Sequence, residues 1–272
     1  MQRSFADMIA LDAEQVRQHI RSGAYRGHTA GLGRDRLQAN LAIISQDHAR
    51  DFFRFCQRNP KPCPVVGVSE TGEPVIHTLG SSIDLRTDLP AYFVYREGAL
   101  AGSAMDILDL WRSDFVAFAL GCSFTFEHAL KRAGFTLWHI SNDTTVPMFR
   151  TNLPTIEVGP FGGPMVVSMR AIPRSRLDEA IEISAGFPQA HGAPVHWGDP
   201  AKIGVQNLGQ PDWGDPAPVG PGEVPVFWAC GVTPQAAIQR ARLPICITHK
   251  PGHMLITDIG ETDASPVMAD HN

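Results

Sequence analysis

Residues 224–258, VPVFWACGVTPQAAIQRARLPICITHKPGHMLITD, constrain the fold more than any other stretch of the chain. An apolar run from Val224 to Ala229 breaks at Cys230-Gly231-Val232 and gives way to Thr233-Pro234. That pair supplies a capping hydroxyl followed by the residue best suited to the first helical position. The helix ends near Arg242, and Leu243-Pro244 leads into a second apolar run, ICIT. The spacing predicts a strand, a crossover helix and a parallel strand, with a right-handed crossover. Ligands of open parallel sheets settle outside the carboxyl ends of the strands, so the loops CGVT and THKPGH should share one edge. Backbone N–H groups at the helix start near Thr233 should attract an anion such as a carboxylate.

The rest of the chain alternates in the same way. Asp12 and Gln15 make a capping box for a helix from Ala13 to Ser22, which Gly23 stops. ANLAIIS reads as a buried strand, and Gln46 to Arg58 as a helix with Phe52, Phe55 and Cys56 inward, ended by Asn59-Pro60. PVVGV and AYFVYREG read as strands. From Met105 to Leu120 the residues Ile107, Leu110, Trp111, Phe115 and Phe118 recur at helical spacing, so a helix ending at Gly121 is expected. Ser123 caps the next helix, which carries Phe124, Phe126 and Leu130 and stops at Gly134. Short strands in TLWHIS, TIEVG and PMVVSMRAI follow, then a helix from about Ser175 to Gly186.

No internal repeat is seen. The fold class is α/β: a mixed-sheet, three-layer α/β/α core with a second, smaller two-layer α/β part within about 140–220, all in one unit of 1–272. Glycine and proline concentrate between 159 and 222, a long looped region of the kind that carries binding groups. Residues 260–272 lack periodicity and are expected to form a flexible tail.

Composition narrows the function classes. Apolar residues make up 43% of 272, enough for a core, and the net charge of −5 leaves no basic face for nucleic acid. No apolar run approaches the roughly 18 residues of a membrane span, and Asp7 and Asp12 interrupt the start of the chain, so no membrane partner and a cytoplasmic location are expected. Five cysteines without a CxxC pair read as reduced thiols. GPFGGP at 159–164 lacks the spacing of a phosphate loop, so no nucleotide is expected.

Several phrases are specific enough to place the chain. YRGHTAGL at 25–32, GCSFTFEHAL at 121–130, HGAPVHWGDP at 191–200, VPVFWACGVTPQ at 224–235 and ITHKPGHMLITD at 247–258 resemble the D-glutamate cyclase family, whose members are also described as hydro-lyases. The resemblance covers nearly the whole chain, in order. It implies a mixed α/β architecture in two intertwined parts and conversion of D-glutamate to 5-oxo-D-proline with loss of water, without a cofactor.

In that reaction the substrate's amine attacks its own side-chain carboxyl. The protein must fold the substrate, take protons from the ammonium, return protons to the departing oxygen and stabilise an oxyanion. Glu127, in the first turns of the helix after Gly121-Cys122-Ser123, is the first-choice general base, against the alternative of a carboxylate that merely complements the helix dipole. His191, His196 and Asp199 lie on one loop, and histidine's ordinary titration near neutrality suits either acid or base. The same three are zinc-like donors, but Pro194 rules out a shared helical face and the spacing matches no standard site, so no metal is assigned.

Substrate contacts are assigned to Cys122, Ser123, Cys230, Gly231 and Thr233 at the two strand-to-helix turns. His249, Lys250 and His253 join them from the turn that contains Pro251-Gly252, and Arg26 and His28 from YRGHTAGL, where Arg26 could take a carboxylate bidentately. The competing readings are a metal-assisted hydratase or hydrolase acting on another small carboxylate, and a carboxylate-binding module without turnover. The expected partner is a small carboxylate or amino acid, with a homodimer as the prior for assembly.

Overall fold

A computed structural model of the chain describes residues 2–263, 265 and 267. Other positions of the expected tail lie outside the described residues. Val267 donates its N–H to the Val65 carbonyl at 2.6 Å.

After a short helix α1 (Phe5–Met8), the capping box of Asp12 and Gln15 starts α2 (Ala13–Arg21) as expected. A ten-residue strand β1 (Arg36–Ser45) then runs directly into α3 (Gln46–Arg58), which buries Phe52, Phe55 and Cys56. Strands β2 (Val65–Val68), β3 (Tyr92–Arg96), β4 (Ala99–Ala104) and β5 (Phe115–Gly121) follow. Next come α4 (Phe124–Arg132), α5 (Trp138–Ser141), β6 (Met148–Pro154), β7 (Pro164–Pro173) and α6 (Leu177–Ala185). The chain closes with β8 (His196–Trp197), β9 (Glu223–Ala229), α7 (Val232–Ala241), β10 (Cys246–His249) and β11 (Leu255–Gly260).

The α/β architecture with a larger and a smaller sheet is present. The larger sheet runs β2-β5-β1-β10-β3-β4, with β11 also on β1, and the smaller runs β6-β7-β9-β8. Every ladder is antiparallel. The expected parallel strand–helix–strand unit is therefore corrected: β9 lies in the smaller sheet and β10 in the larger, so α7 crosses between sheets and does not return to its own. The expected helix over 105–120 is β5 preceded by a 3-10 turn at 108–110. All seven residues of β5 are buried, and a strand covered on both faces is a continuous apolar run in which helical spacing arises by coincidence. TLWHIS forms α5 where a strand was expected, and TIEVG is a turn closed by a Val158–Phe161 bridge.

Two helices are exchanged between the sheets. Strand β5 belongs to the larger sheet, yet the α4 residues Phe126 and Leu130 pack on Ile172, Val224, Val226 and Trp228 of the smaller one. Strand β9 belongs to the smaller sheet, yet the α7 residues Ala237 and Ile238 pack with Ala42, Ile44, Phe55 and Phe118 on the larger. The other face of the larger sheet is covered by irregular chain that contributes Leu79, Ile83, Leu85, Leu89 and Ile107. Among the described residues, no helix is long and apolar enough to cross a membrane.

Candidate active site

The two exchanged helices begin in the same way. Cys122 follows β5 and Cys230 follows β9; the next residues, Ser123 (φ −59°, ψ −18°) and Gly231 (φ −62°, ψ −7°), have nearly the same backbone angles. The N–H two residues on, Phe124 for Cys122 and Val232 for Cys230, favours the thiolate form of each. Each cysteine carbonyl accepts from the threonine three residues on, Thr125 at 3.4 Å and Thr233 at 2.9 Å. The N–H groups of Ser123 and Gly231 take no partner among the described residues, as expected for the orphan donors of a helix start. The sequence carries this repeat as C-x-x-T, which reading for long repeats misses.

Asn40 brings the two turns together. Its Nδ2 donates to the Gly121 carbonyl at 3.1 Å, and a Cβ on Gly231 would stand 2.5 Å from the same nitrogen, so only glycine fits there. Asn40 is 7% exposed and lies mid-way along β1, where that strand's neighbour changes from β10 to β11. The chain between β10 and β11 leaves the sheet at that point, so the Leu41 N–H has no strand partner. The His249 ring supplies one: Leu41 donates to Nδ1 at 3.1 Å. Nδ1 also lies 3.4 Å from the Leu41 carbonyl, and the Gln235 amide nitrogen of α7 stands 3.4 Å from Nε2. Burial brings the His249 pKa down to about 4.

Beneath the α4 turn lies a buried ion pair. Arg170, from the middle of β7, donates Nε to Glu127 Oε1 at 2.9 Å; its Nη2 reaches the same oxygen and also Ser123 Oγ at 3.1 Å, and its Nη1 donates to Ser168 Oγ at 2.9 Å. His139 Nε2 stands 3.3 Å from the same carboxylate oxygen. Burial alone would raise the Glu127 carboxyl, but the charges of Arg170 and His139 and their contacts outweigh it and hold the pKa at about 2. Every one of these contacts falls on Oε1; Oε2 takes no hydrogen bond among the described residues. The guanidinium also lies 4.9 Å from the centre of the Phe126 ring and 5.4 Å from that of Trp228.

The remaining sequence candidates divide into three groups. His191 joins the site: the turn at 188–190 packs on Gly121, where a Cβ would strike the Gln189 carbonyl. The His191 Nδ1 lies 2.7 Å from the Lys61 carbonyl, which can only accept, so Nε2 keeps its lone pair. Burial first, then the charges of Arg170 and Lys61, bring its pKa to about 4 despite the Lys61 hydrogen bond. Arg26, His28, Lys250 and His253 form a second group. Thr29 bonds Gly252 and Met254, which docks their two loops together. Arg26 spends its guanidinium on the Met105 carbonyl at 3.0 Å, and His28 stacks on Phe5.

The third group does not reach the cysteine turns. His196 and Asp199 stand at the β8 edge, where His196 stacks on Phe227, and Phe227 belongs to the core on the face of the smaller sheet opposite Phe126 and Trp228. The expected grouping of His191 with His196 and Asp199 is thereby undone, and no three His, Cys, Asp or Glu side chains among the described residues are placed to hold a metal. Thr233 is near the site but committed: its hydroxyl accepts from the Val166 N–H at 3.0 Å and faces the Val166 carbonyl at 3.2 Å, stitching α7 to β7.

A cleft of about 400 Å³ opens over α7, lined by Phe93, Tyr95, Met148, Trp213, Val232 and Gln235, with Pro251 at its rim. Val232 and Gln235 connect it to Cys230 and His249. Sequence reasoning missed His139 of α5 and, in the strands, Arg170 and Asn40. Arg170 and Asn40 are polar side chains inside largely apolar strands, PMVVSMRAI and ANLAIIS, and that interruption was the available clue.

Residues 116–258 match the D-glutamate cyclase family. A protein of Dinoroseobacter shibae named "Putative hydro-lyase" is 65% identical over 254 residues, covering 93% of this chain and 85% of that relative. A relative in Ruegeria pomeroyi with the same description is 65% identical over 254 residues, covering 93% and 92%. One in a Jannaschia species is 60% identical over 256 residues, covering 94% and 96%. The family match takes in both cysteine turns, and the relatives run along nearly the entire chain: it belongs to the D-glutamate cyclase family.

Proposed function

We propose that this chain is a hydro-lyase that converts D-glutamate to 5-oxo-D-proline with loss of water, by general acid–base catalysis. The observation that carries the reading is the half-used carboxylate of Glu127 beside two helix starts. Glutamate brings one ammonium and two carboxylates. Oε2 of Glu127 offers an acceptor for the ammonium, and the free N–H groups of Ser123 and Gly231 offer donors for the two acidic ends.

Glu127, expected as the general base, takes a different part in this reading. Glu127 is held ionised through Oε1 by Arg170 and His139 and keeps Oε2 as a hydrogen-bond acceptor, so it orients the amine for attack. The unprotonated Nε2 of His191 is the group suited to carry the two protons that the nitrogen loses, one after the other, to the departing oxygen, which leaves as water. The helix-start amide that holds the side-chain carboxyl then faces the oxyanion that forms when the amine adds to it. Lys250, beside the cleft rim, adds positive charge on the entry side.

The test is 5-oxoproline formation from D- and L-glutamate supplied separately to the wild type and to Glu127→Gln. Product from the D form, with kcat/KM lowered at least ten-fold in Glu127→Gln, is the expected result. Binding of D-glutamate without product would identify a binding module, and no product and no binding with either enantiomer would reject glutamate as the ligand.

A further inference from the structure

We propose that Cys122 and Cys230 work as an acid–base pair that moves the Cα proton of the bound amino acid, giving this site an α-epimerising activity beside cyclisation. The proposal rests on the reading of the ligand as glutamate, and it concerns a different bond of that ligand.

The two thiols are a matched pair by construction. Each stands at the same position of a C-x-x-T turn, has an N–H of its own helix start that favours its thiolate form, and carries no disulfide. Their helices leave in different directions, α4 onto the smaller sheet and α7 onto the larger, and the two sulfurs are near enough for Cys122 to feel the charge of Cys230. Asn40 holds the turns within one side chain of each other. Two further groups point to a ligand in that space. The side chains of Glu127 and Asn40 are largely buried, but Glu127 Oε2 and Asn40 Oδ1 take no hydrogen bond among the described residues and stay accessible to a ligand, and the Glu127 charge is felt by both sulfurs.

Inversion at a carbon requires a base on one face and an acid on the other. The thiolate of one cysteine takes the Cα proton, and the C–H electron pair passes into the α-carboxylate as an enediolate. The thiol of the other cysteine then gives its proton to the opposite face of Cα. One C–H bond breaks and one forms, the two sulfurs exchange protonation states, and nothing is oxidised or reduced. The helix-start N–H groups that bind the carboxylate are placed to hold the enediolate charge. The pair is not symmetric: burial raises both thiols, Cys122 to about 12, but Arg170 pulls only Cys230 back down. With both thiols raised, exchange should quicken as pH rises.

The experiment follows wild type, Cys122→Ser and Cys230→Ser in deuterium oxide with D-glutamate and, separately, L-glutamate. Proton NMR reads the Cα–H signal, chiral chromatography reads the enantiomers, and 5-oxoproline is measured in the same samples. Loss of the Cα–H signal with appearance of the opposite enantiomer, slowed at least a hundred-fold in either variant, is expected. 5-Oxoproline formed with Cα–H retained overturns the thiol-pair proposal and leaves cyclisation standing. Exchange without 5-oxoproline upholds the pair and overturns cyclisation. Absence of both, with either enantiomer, overturns both. The wild-type reading does not depend on whether a variant folds, and exchange in Cys230→Ser at the wild-type rate also overturns the proposal.

Discussion

Arg170 carries the charge balance of the site. It is 2% exposed, and its hydrogen bonds end on Glu127, Ser123 and Ser168, so truncating it leaves an ionised carboxylate buried without compensation. Removing one partner of such a pair costs about 3–5 kcal/mol, whereas removing both can be nearly neutral. Arg170→Met should therefore lower the urea midpoint severely, and Arg170→Met combined with Glu127→Leu should recover most of the loss. Equal midpoints for single and double variants would show the pair to be irrelevant to stability. The pH dependence follows from the same groups. His191 and His249 sit near 4, below the ordinary value of 6.5, so between those values the unfolded chain binds protons that the folded one refuses, and acid destabilises. Glu127 is also depressed, from 4.5 to about 2, and its contribution is lost as pH falls through that interval. Both effects have one sign. Stability should decline from pH 6.5 downward, by on the order of 3 kcal/mol per histidine at the limit, and His249→Gln should flatten the slope between pH 6.5 and 4. An unchanged slope in that variant would mean that His249 is not the neutral acceptor its contact with Leu41 describes. At this scale Glu127 was legible because a helix start announces where its first carboxylate will stand. Arg170 and Asn40 were not, because sequence shows a polar residue in an apolar strand without showing what it faces.

The two C-x-x-T turns set the spacing between elements, and Gly231 is where that spacing can be perturbed. A methyl group there meets Asn40 Nδ2 at 2.5 Å and must push the turn or the side chain aside, at a cost of about 1–3 kcal/mol for an overpacked site. Gly231→Ala should reduce kcat/KM at least ten-fold, and Asn40→Ala in the same chain should restore part of it by removing the clash. A Gly231→Ala enzyme with full kcat/KM would show that the distance between the turns does not matter. Elements whose signals are local were legible, α2 from its capping box and α3 from its apolar stripe, whereas α7 does not start as Thr233-Pro234 suggested: it begins at Val232 after Gly231, and the Thr233 hydroxyl bonds Val166 instead of capping the helix. Strand β5 was not, because Phe115 and Phe118 are both inward on a strand buried on both faces, and three-residue spacing then imitates a helix. The pairing of β10 was also hidden. An apolar run on either side of a helix is the same sequence whether the second strand joins the first sheet or another, and long-range antiparallel register leaves no local trace.

In the whole molecule, strands β6 to β9 and the chain between them are inserted between β5 and β10 of the larger sheet, and the exchange of α4 and α7 binds the two sheets into one body. This exchange explains why the candidate site draws on both sheets. Asn40, His249 and Cys122 come from the larger sheet, Arg170 and Cys230 from the smaller. A ligand that touches both should stabilise both together. With D-glutamate at a hundred times its dissociation constant, mass action adds about 2.7 kcal/mol to the folded state. A scan of unfolding against temperature should then show a single transition that moves upward as D-glutamate is added, with Trp213 fluorescence in the cleft changing at the same temperature as the far-ultraviolet circular dichroism. The Trp213 signal separates two cases that the midpoint alone does not. If the fluorescence transition moves and the circular dichroism transition stays, the ligand grips only the cleft over α7, and the two sheets are not coupled through the site. If both move by the same amount, the energy of holding one small amino acid is distributed over the crossing point of the two sheets, as expected of a pocket whose walls are two helix starts that each belong to the other's layer.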